Sequence, residues 1–130
     1  MKSTIEIVAQ LYAEFGEGNI AAILEKLADD VTWELPASAN VPFSGVFTGK
    51  NGVVQFFEAV ASTNDFQEFT IEKLLGDAET VVAFGNLKAI AKTTGKTSVN
   101  KWAHRWDFNN GQIVRHYEYA DTAEILSAFS

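Results

Sequence analysis

The chain has 130 residues, a mass of 14.3 kDa and a formal charge of −7, from 10 Lys plus Arg against 17 Asp plus Glu. Arg occurs only at Arg105 and Arg115, and the Lys residues are scattered. With no basic cluster to hold phosphates or anionic lipid, neither nucleic acid nor a membrane is expected as a partner. The sequence contains no cysteine, which excludes disulfides, thiolate nucleophiles and Cys-ligated metals. Residues 1–6 show no apolar signal-peptide core, and no apolar run approaches the ~20 residues of a membrane span. The expectation is one cytoplasmic domain over residues 1–130.

In chain order, residues 3–15 predict an amphipathic helix. Ser3 or Thr4 can cap it, and Glu6 stands at capping-box distance from Ser3. Ile5, Val8, Leu11, Tyr12 and Phe15 fall at helical spacing, and Gly16 and Gly18 stop the helix. Asn19 caps a second helix reaching to about Leu27. Residues 31–35 alternate as a strand ended by Pro36, and 36–48 read as a loop. Asn51 opens a third helix through Val60. Strands follow at 66–75, 80–92, 97–108 and 113–120, separated by the turn pairs Gly76-Asp77, Thr94-Gly95 and Asn110-Gly111. Asp121 or Thr122 caps a last helix over 123–129. Helices followed by an antiparallel meander make an α+β fold, with a highly curved sheet wrapped as a cone around the helices.

Two strings resemble nucleotide motifs and fail on context. Gly16-Glu17-Gly18-Asn19-Ile20-Ala21 follows a helix, whereas a dinucleotide fingerprint follows a strand. Thr94-Gly95-Lys96-Thr97 lacks the first Gly of a phosphate loop and reads as a hairpin turn. His104 and His116 form no metal motif by spacing, although a hairpin with a carboxylate could bring them together; no metal is assigned. Trp102, His104, Trp106 and Phe108 alternate and so share one strand face. That face is either ordinary core or the wall of an aromatic pocket with one titratable group.

The stretch from Trp102 through His104, Trp106, Gly111 and Tyr119 to Asp121-Thr122 resembles the closing hairpin of SnoaL-like, ketosteroid-isomerase-like proteins of the nuclear transport factor 2-like superfamily. Asn19-Ile20, the segment Ala28 to Trp33, and Phe43-Ser44-Gly45 leading to Gly49 agree. The resemblance covers nearly the whole chain and implies a cone-shaped α+β barrel. Its implied chemistry is open, because the superfamily includes isomerases, cyclases, epoxide hydrolases, dehydratases and non-enzymes. Matched to the ketosteroid isomerases, the general base falls on Leu35 and the oxyanion-hole Tyr on Leu11, with Tyr12 one residue out of phase. The protonated-Asp position falls near Ala103 or His104. Leucine cannot abstract a proton, so that isomerisation is not expected, and Leu11 and Leu35 become pocket wall. Matched to the limonene epoxide hydrolases from Gly111 onward, the catalytic Asp falls on Glu118 and a pocket Trp on His116, while Tyr119 and Asp121 match directly. Where those enzymes carry an Arg and a second Asp, this chain offers Asn86 and Lys88, an incomplete set.

The last hairpin decides which residues meet. A two-residue Asn110-Gly111 turn sets His104 against Tyr117 and points His116 and Glu118 away from the tryptophans. A three-residue loop with a Gly bulge sets His104 against His116, Trp102 against Glu118 and Arg105 against Arg115. The family pattern favours the second register. In it, Trp33, Val82, Phe84, Trp102 and Trp106 wall an apolar cavity, and His104, His116, Glu118, Asn86 and Lys88 supply its polar groups.

The expected activity is a cofactor-independent cyclase, isomerase or hydratase acting on an apolar, carbonyl-bearing ring compound. Glu118 is the base, and His104 is proton donor or oxyanion stabiliser beside His116. The alternatives are a non-catalytic binder of small ligands and an interaction module. The outer face bearing Arg105, Arg115, Tyr117 and Tyr119 resembles the superfamily's dimer surface and predicts a homodimer.

Overall fold

The computed structural model describes residues 2–130, so Met1, first residue of the expected domain, lies outside them. The chain runs α1 (Thr4–Gly16), α2 (Ile20–Glu25), β1 (Leu27–Leu35), β2 (Gly45–Thr48), α3 (Gly49–Thr63), β3 (Asn64–Gly76), β4 (Thr80–Ala91), β5 (Thr97–Asn109), β6 (Gln112–Tyr119) and α4 (Thr122–Ala128). None of these helices is long and apolar enough to cross a membrane.

The capping box forms as the sequence predicts. Ser3 Oγ accepts the Glu6 N–H at 3.2 Å, and Glu6 Oε1 accepts the Ser3 N–H at 3.1 Å. Asn19 and Asp121 cap α2 and α4 in the same way, each accepting a backbone N–H three residues on. Several boundaries differ from expectation: α2 ends at Glu25, and Leu27, expected at the end of that helix, opens β1 four residues ahead of the expected strand. Helix α3 starts at Gly49 behind Thr48 rather than at Asn51. The segment read as a loop contains β2, whose four residues pair antiparallel with β1. Two apolar residues between Gly45 and Thr48 are too short a run to show alternation.

The strands form one sheet in the order β2-β1-β6-β5-β4-β3, curled and unclosed. Among the described residues only β1 and β6 pair in parallel. Val8 and Leu11 of α1 and Val53, Phe56 and Val60 of α3 pack with Trp33, Leu35, Val81, Trp106 and Ile113 of the sheet in one apolar core. Removing this apolar surface from water is the main force holding helices inside the curl.

The β5–β6 register follows neither expected alternative. Asn110 (φ 51°) and Gly111 (φ 77°) make a two-residue turn, with Asn109 opposite Gln112 and Phe108 opposite Ile113. Two positive φ values are what a type I′ hairpin requires. The pairing then shifts, and Asp107 meets Arg115 while Val114 is the extra residue. That bulge reverses the facing of everything beyond it. His104 therefore lies opposite Glu118, and Trp106 opposite His116. His116 and Glu118 do share the tryptophan face, but through a bulge inside β6 rather than in the turn. The expected Arg105–Arg115 pairing is absent: Arg105 lies opposite Tyr117, and its Nε donates to Asp107 Oδ1 at 3.1 Å.

Candidate functional site

Side chains from every helix and from five of the six strands line one cavity of about 110 Å³ inside the curl. Leu11, Tyr12 and Phe15 come from α1, and Trp33 and Leu35 from β1. Trp102, His104 and Trp106 come from β5, and His116 and Glu118 from β6. Parallel pairing of β1 with β6 sets Trp33 beside His116, where the two rings stack with centroids 3.8 Å apart. Helix α4 adds Ile125. Its N-cap residue Asp121 is clasped by Asn100, which donates to the Asp121 carbonyl at 3.2 Å and accepts the Asp121 N–H at 2.8 Å.

Of the expected wall, Trp33, Trp102, Trp106, Leu11 and Leu35 line the cavity. Val82, Phe84, Asn86 and Lys88 do not. Strand β4 turns Val81, Ala83, Gly85 and Ala89 inward, so the even-numbered residues face out. Phe84 is 38% exposed, and Asn86 donates to Glu72. The reason is space. A Cβ on Gly85 would run into Trp102 Cζ2, so only small residues fit beneath the indole.

Tyr12, set aside as out of phase, is the polar residue that α1 supplies. Trp106 Nε1–H donates to its hydroxyl oxygen at 3.1 Å, and the hydroxyl lies 2.7 Å from His104 Nδ1. An indole only donates, so the Tyr12 oxygen accepts from it; we assign the Tyr12 O–H as donor to Nδ1, the one other polar atom within its reach among the described residues. This network assigns the His104 proton to Nε2. Nε2 lies 3.8 Å from Glu118 Oε2, beyond hydrogen-bond reach. His116 Nε2 lies 3.2 Å from the other carboxylate oxygen, Oε1. The ligand-capable atoms of His104, His116 and Glu118 fall within 4.8 Å of one another.

Burial dominates the electrostatics. It raises the Glu118 pKa above the ordinary carboxylate value, against the pull of His104. It pushes His104 down to about 3 despite the charge of Glu118, with His116 adding to the fall. It also holds His116 well below the usual imidazole value and Tyr12 well above the usual phenol value. Lys88, expected among the polar groups of the cavity, faces away from it. Both imidazoles and the phenol are neutral near pH 7.

The depressed histidines set a stability signature. In the unfolded chain they titrate near 6.5, so below that pH the unfolded state takes up protons the folded state refuses. Their contribution is intact above about pH 6.5 and is lost as pH falls, by about 1.4 kcal/mol per pH unit for each histidine. Glu118 acts oppositely. Between 4.5 and its raised folded value the folded chain holds the extra proton, which offsets one histidine there. Urea unfolding from pH 7.5 to 5 should show stability falling with acid, and His116→Phe should remove most of the slope wherever Glu118 holds its extra proton, since His104 and Glu118 then offset each other.

Comparison with known proteins places this geometry in context. The model of the SnoaL-like domain matches residues 8–116. Patulin synthesis protein F of Aspergillus clavatus is 29% identical over 103 residues, which are 76% of this chain and 52% of that protein. The chain spans about half the length of the curated relatives it matches. An NTF2-like protein from Burkholderia thailandensis superposes with a TM-score of 0.89 at 25% identity, over 100% of this chain and 99% of the other. TerC, co-crystallized with polyporic acid, superposes with a TM-score of 0.84 at 23% identity, over 96% of each chain.

Proposed function

Because the chain belongs to the SnoaL-like domain family, we propose that it is a small-molecule enzyme of the cyclase, isomerase or hydratase type, moving protons on an apolar, carbonyl-bearing ring. One observation carries the reading. A carboxylate oxygen and an imidazole N–H face each other across 3.8 Å in an apolar cavity without bonding to each other. That spacing leaves each free for a ligand atom. Glu118 Oε2 is the base for a proton next to a carbonyl, and His104 Nε2–H holds the carbonyl oxygen as negative charge develops. His116 orients the carboxylate through Oε1. Tyr12 holds the His104 tautomer and is a positioning residue. These steps draw on no metal or organic cofactor.

Tyr12→Phe tests the positioning role. It leaves the Trp106 N–H and His104 Nδ1 unpaired in a buried site, costing about 1–3 kcal/mol of stability. It also frees the His104 proton to move to Nδ1. Ring ¹⁵N shifts of His104 should report a single Nε2–H tautomer in the native protein and a mixture in the variant, with turnover about tenfold lower. A single unchanged tautomer would contradict the role.

The outer face of β5 and β6 supports a homodimer as the second part of the proposal. The Arg115 guanidinium lies 5.3 Å over the ring of Tyr117, and that ring is 4.7 Å from the ring of Tyr119. Tyr119 is 49% exposed. Aromatic and Arg side chains of this kind suit an interface core. Sedimentation at micromolar concentration should give a mass near twice 14.3 kDa, and a monomer would count against it.

A further inference from the structure

Strands β5 and β6 bring two imidazoles to one carboxylate, and both turn the same ring nitrogen toward it. His104 Nε2 lies 3.8 Å from Glu118 Oε2, and His116 Nε2 lies 3.2 Å from Oε1. The centres of the two imidazole rings are 4.8 Å apart, with their planes at 64°. These spacings are close to those of donors around one metal ion. Zinc bonds of about 2.0–2.2 Å to nitrogen or oxygen set neighbouring donors about 3.0–3.4 Å apart. The His116 separation falls in that range, and the His104 separation exceeds it by a few tenths of an ångström. An imidazole bound through Nε2 carries its ring centre about 3.2 Å from the ion, so two such rings at right to tetrahedral angles have centres about 4.5–5.2 Å apart. The observed ring spacing lies within those limits.

The surroundings suit an ion as well. His116 stacks on Trp33 at 3.8 Å and meets Trp106 at 4.1 Å, and His104 stacks on Trp102 at 4.0 Å, so packing holds both donor rings in place. A histidine bound through Nε2 carries its proton on Nδ1 and gives it to an outer partner. For His104 that partner is the Tyr12 oxygen, 2.7 Å away. The cavity of about 110 Å³ has room for the one or two waters, about 30 Å³ each, that fill the remaining positions of such an ion. Two imidazole nitrogens and one carboxylate favour a zinc-type ion over calcium or magnesium, which are held by oxygen alone. We propose that His104 Nε2, His116 Nε2 and the Glu118 carboxylate form a binding site for one zinc-type divalent ion. The ion occupies the carboxylate lone pair and moves the His104 proton from Nε2 to Nδ1. Resting on the acid–base reading above for this consequence alone, bound zinc blocks the site to a carbonyl compound.

Cobalt(II) is the probe. Titrated into metal-free native protein at pH 7.5, it should give the visible bands of a four- or five-coordinate ion and saturate at one equivalent. Zinc chloride should bleach the bands, and a large excess of magnesium or calcium should not. Glu118→Gln and His116→Ala should each weaken cobalt binding by about 100-fold, and Tyr12→Phe, which removes only the outer partner, by about tenfold. The chain has two histidines, so ring ¹⁵N spectra of the native protein locate the ion even if a variant fails to fold. Zinc should move the Nε2 signals of both imidazoles and leave both protons on Nδ1. Absent cobalt bands, bands of full strength in both ligand variants, displacement by magnesium or calcium, or imidazole signals unmoved by zinc would overturn the proposal. Where the native protein exchanges protons on cyclohex-2-enone, one equivalent of zinc should return the rate to background, and an unchanged rate would overturn the blocking. Absent bands leave Glu118 standing as a base, and a protein that binds cobalt yet moves no proton leaves the ion site standing.

Discussion

Glu118→Gln should lower the rate of proton removal by about 10²–10⁴-fold, the range a positioned general base contributes. Glutamine keeps the shape of the side chain and an amide oxygen able to accept the His116 Nε2–H that lies 3.2 Å from Oε1 in the native protein. What it loses is a group able to take a proton. Affinity for an apolar ring should change by only a few-fold, because the aromatic walls are untouched. Stability above neutral pH should be equal or higher, since burial disfavours the ionised carboxylate and the variant has none. A large loss of turnover with binding and stability retained separates catalysis from ligand binding alone. Steady-state kinetics and urea unfolding on the same preparations check both. Unchanged turnover would turn the site into a binding pocket, with Glu118 and the histidines only satisfying one another.

Gly85→Ala should be strongly destabilising, at about 3 kcal/mol, the upper end for overpacking. The new Cβ would collide with the Thr70 carbonyl oxygen and with Cζ2 and Cε2 of Trp102. The first is backbone of the neighbouring strand, and the second belongs to an indole held between Phe69 and His104 at 5.0 and 4.0 Å. Neither gives way without disturbing the site. Ligand affinity should therefore fall together with the urea midpoint. Gly16→Ala is the matched control: its Cβ meets nothing within 4 Å, and it should be neutral or slightly stabilising.

How far the site could be read in advance depended on the kind of signal each residue leaves. Helical periodicity set Tyr12 on the apolar face of α1, yet alignment to a distant enzyme discounted it by one position. On a helix, neighbouring residues lie about 100° apart, and Leu11 and Tyr12 both reach the cavity. Strand β5 was legible because its alternation of aromatic and polar residues is unambiguous. Strand β4 was not, because Val81-Val82-Ala83-Phe84 is apolar on both faces. The larger residues looked like pocket wall, whereas the inward positions are the small ones that make room for Trp102. A glycine in mid-strand marks such a close approach, and Gly85 was the signal available. The facing of His116 and Glu118 was anticipated, but its cause was not. A bulge at Val114 changes no residue type, so no local pattern announces it. It also lets Ile113 and His116, three residues apart on one strand, both point inward.

The most direct measurement is hydrogen–deuterium exchange at the carbon next to the carbonyl of cyclohex-2-enone in D₂O, followed by ¹H NMR against pH with native protein and Glu118→Gln. The account predicts exchange accelerated by the native protein. It should rise with pH through a pKa above the ordinary carboxylate value and then level off, with no second inflection from His104, which titrates near 3. The glutamine variant should give the background rate throughout. Equal exchange by the two proteins would contradict the assignment of Glu118 as the base.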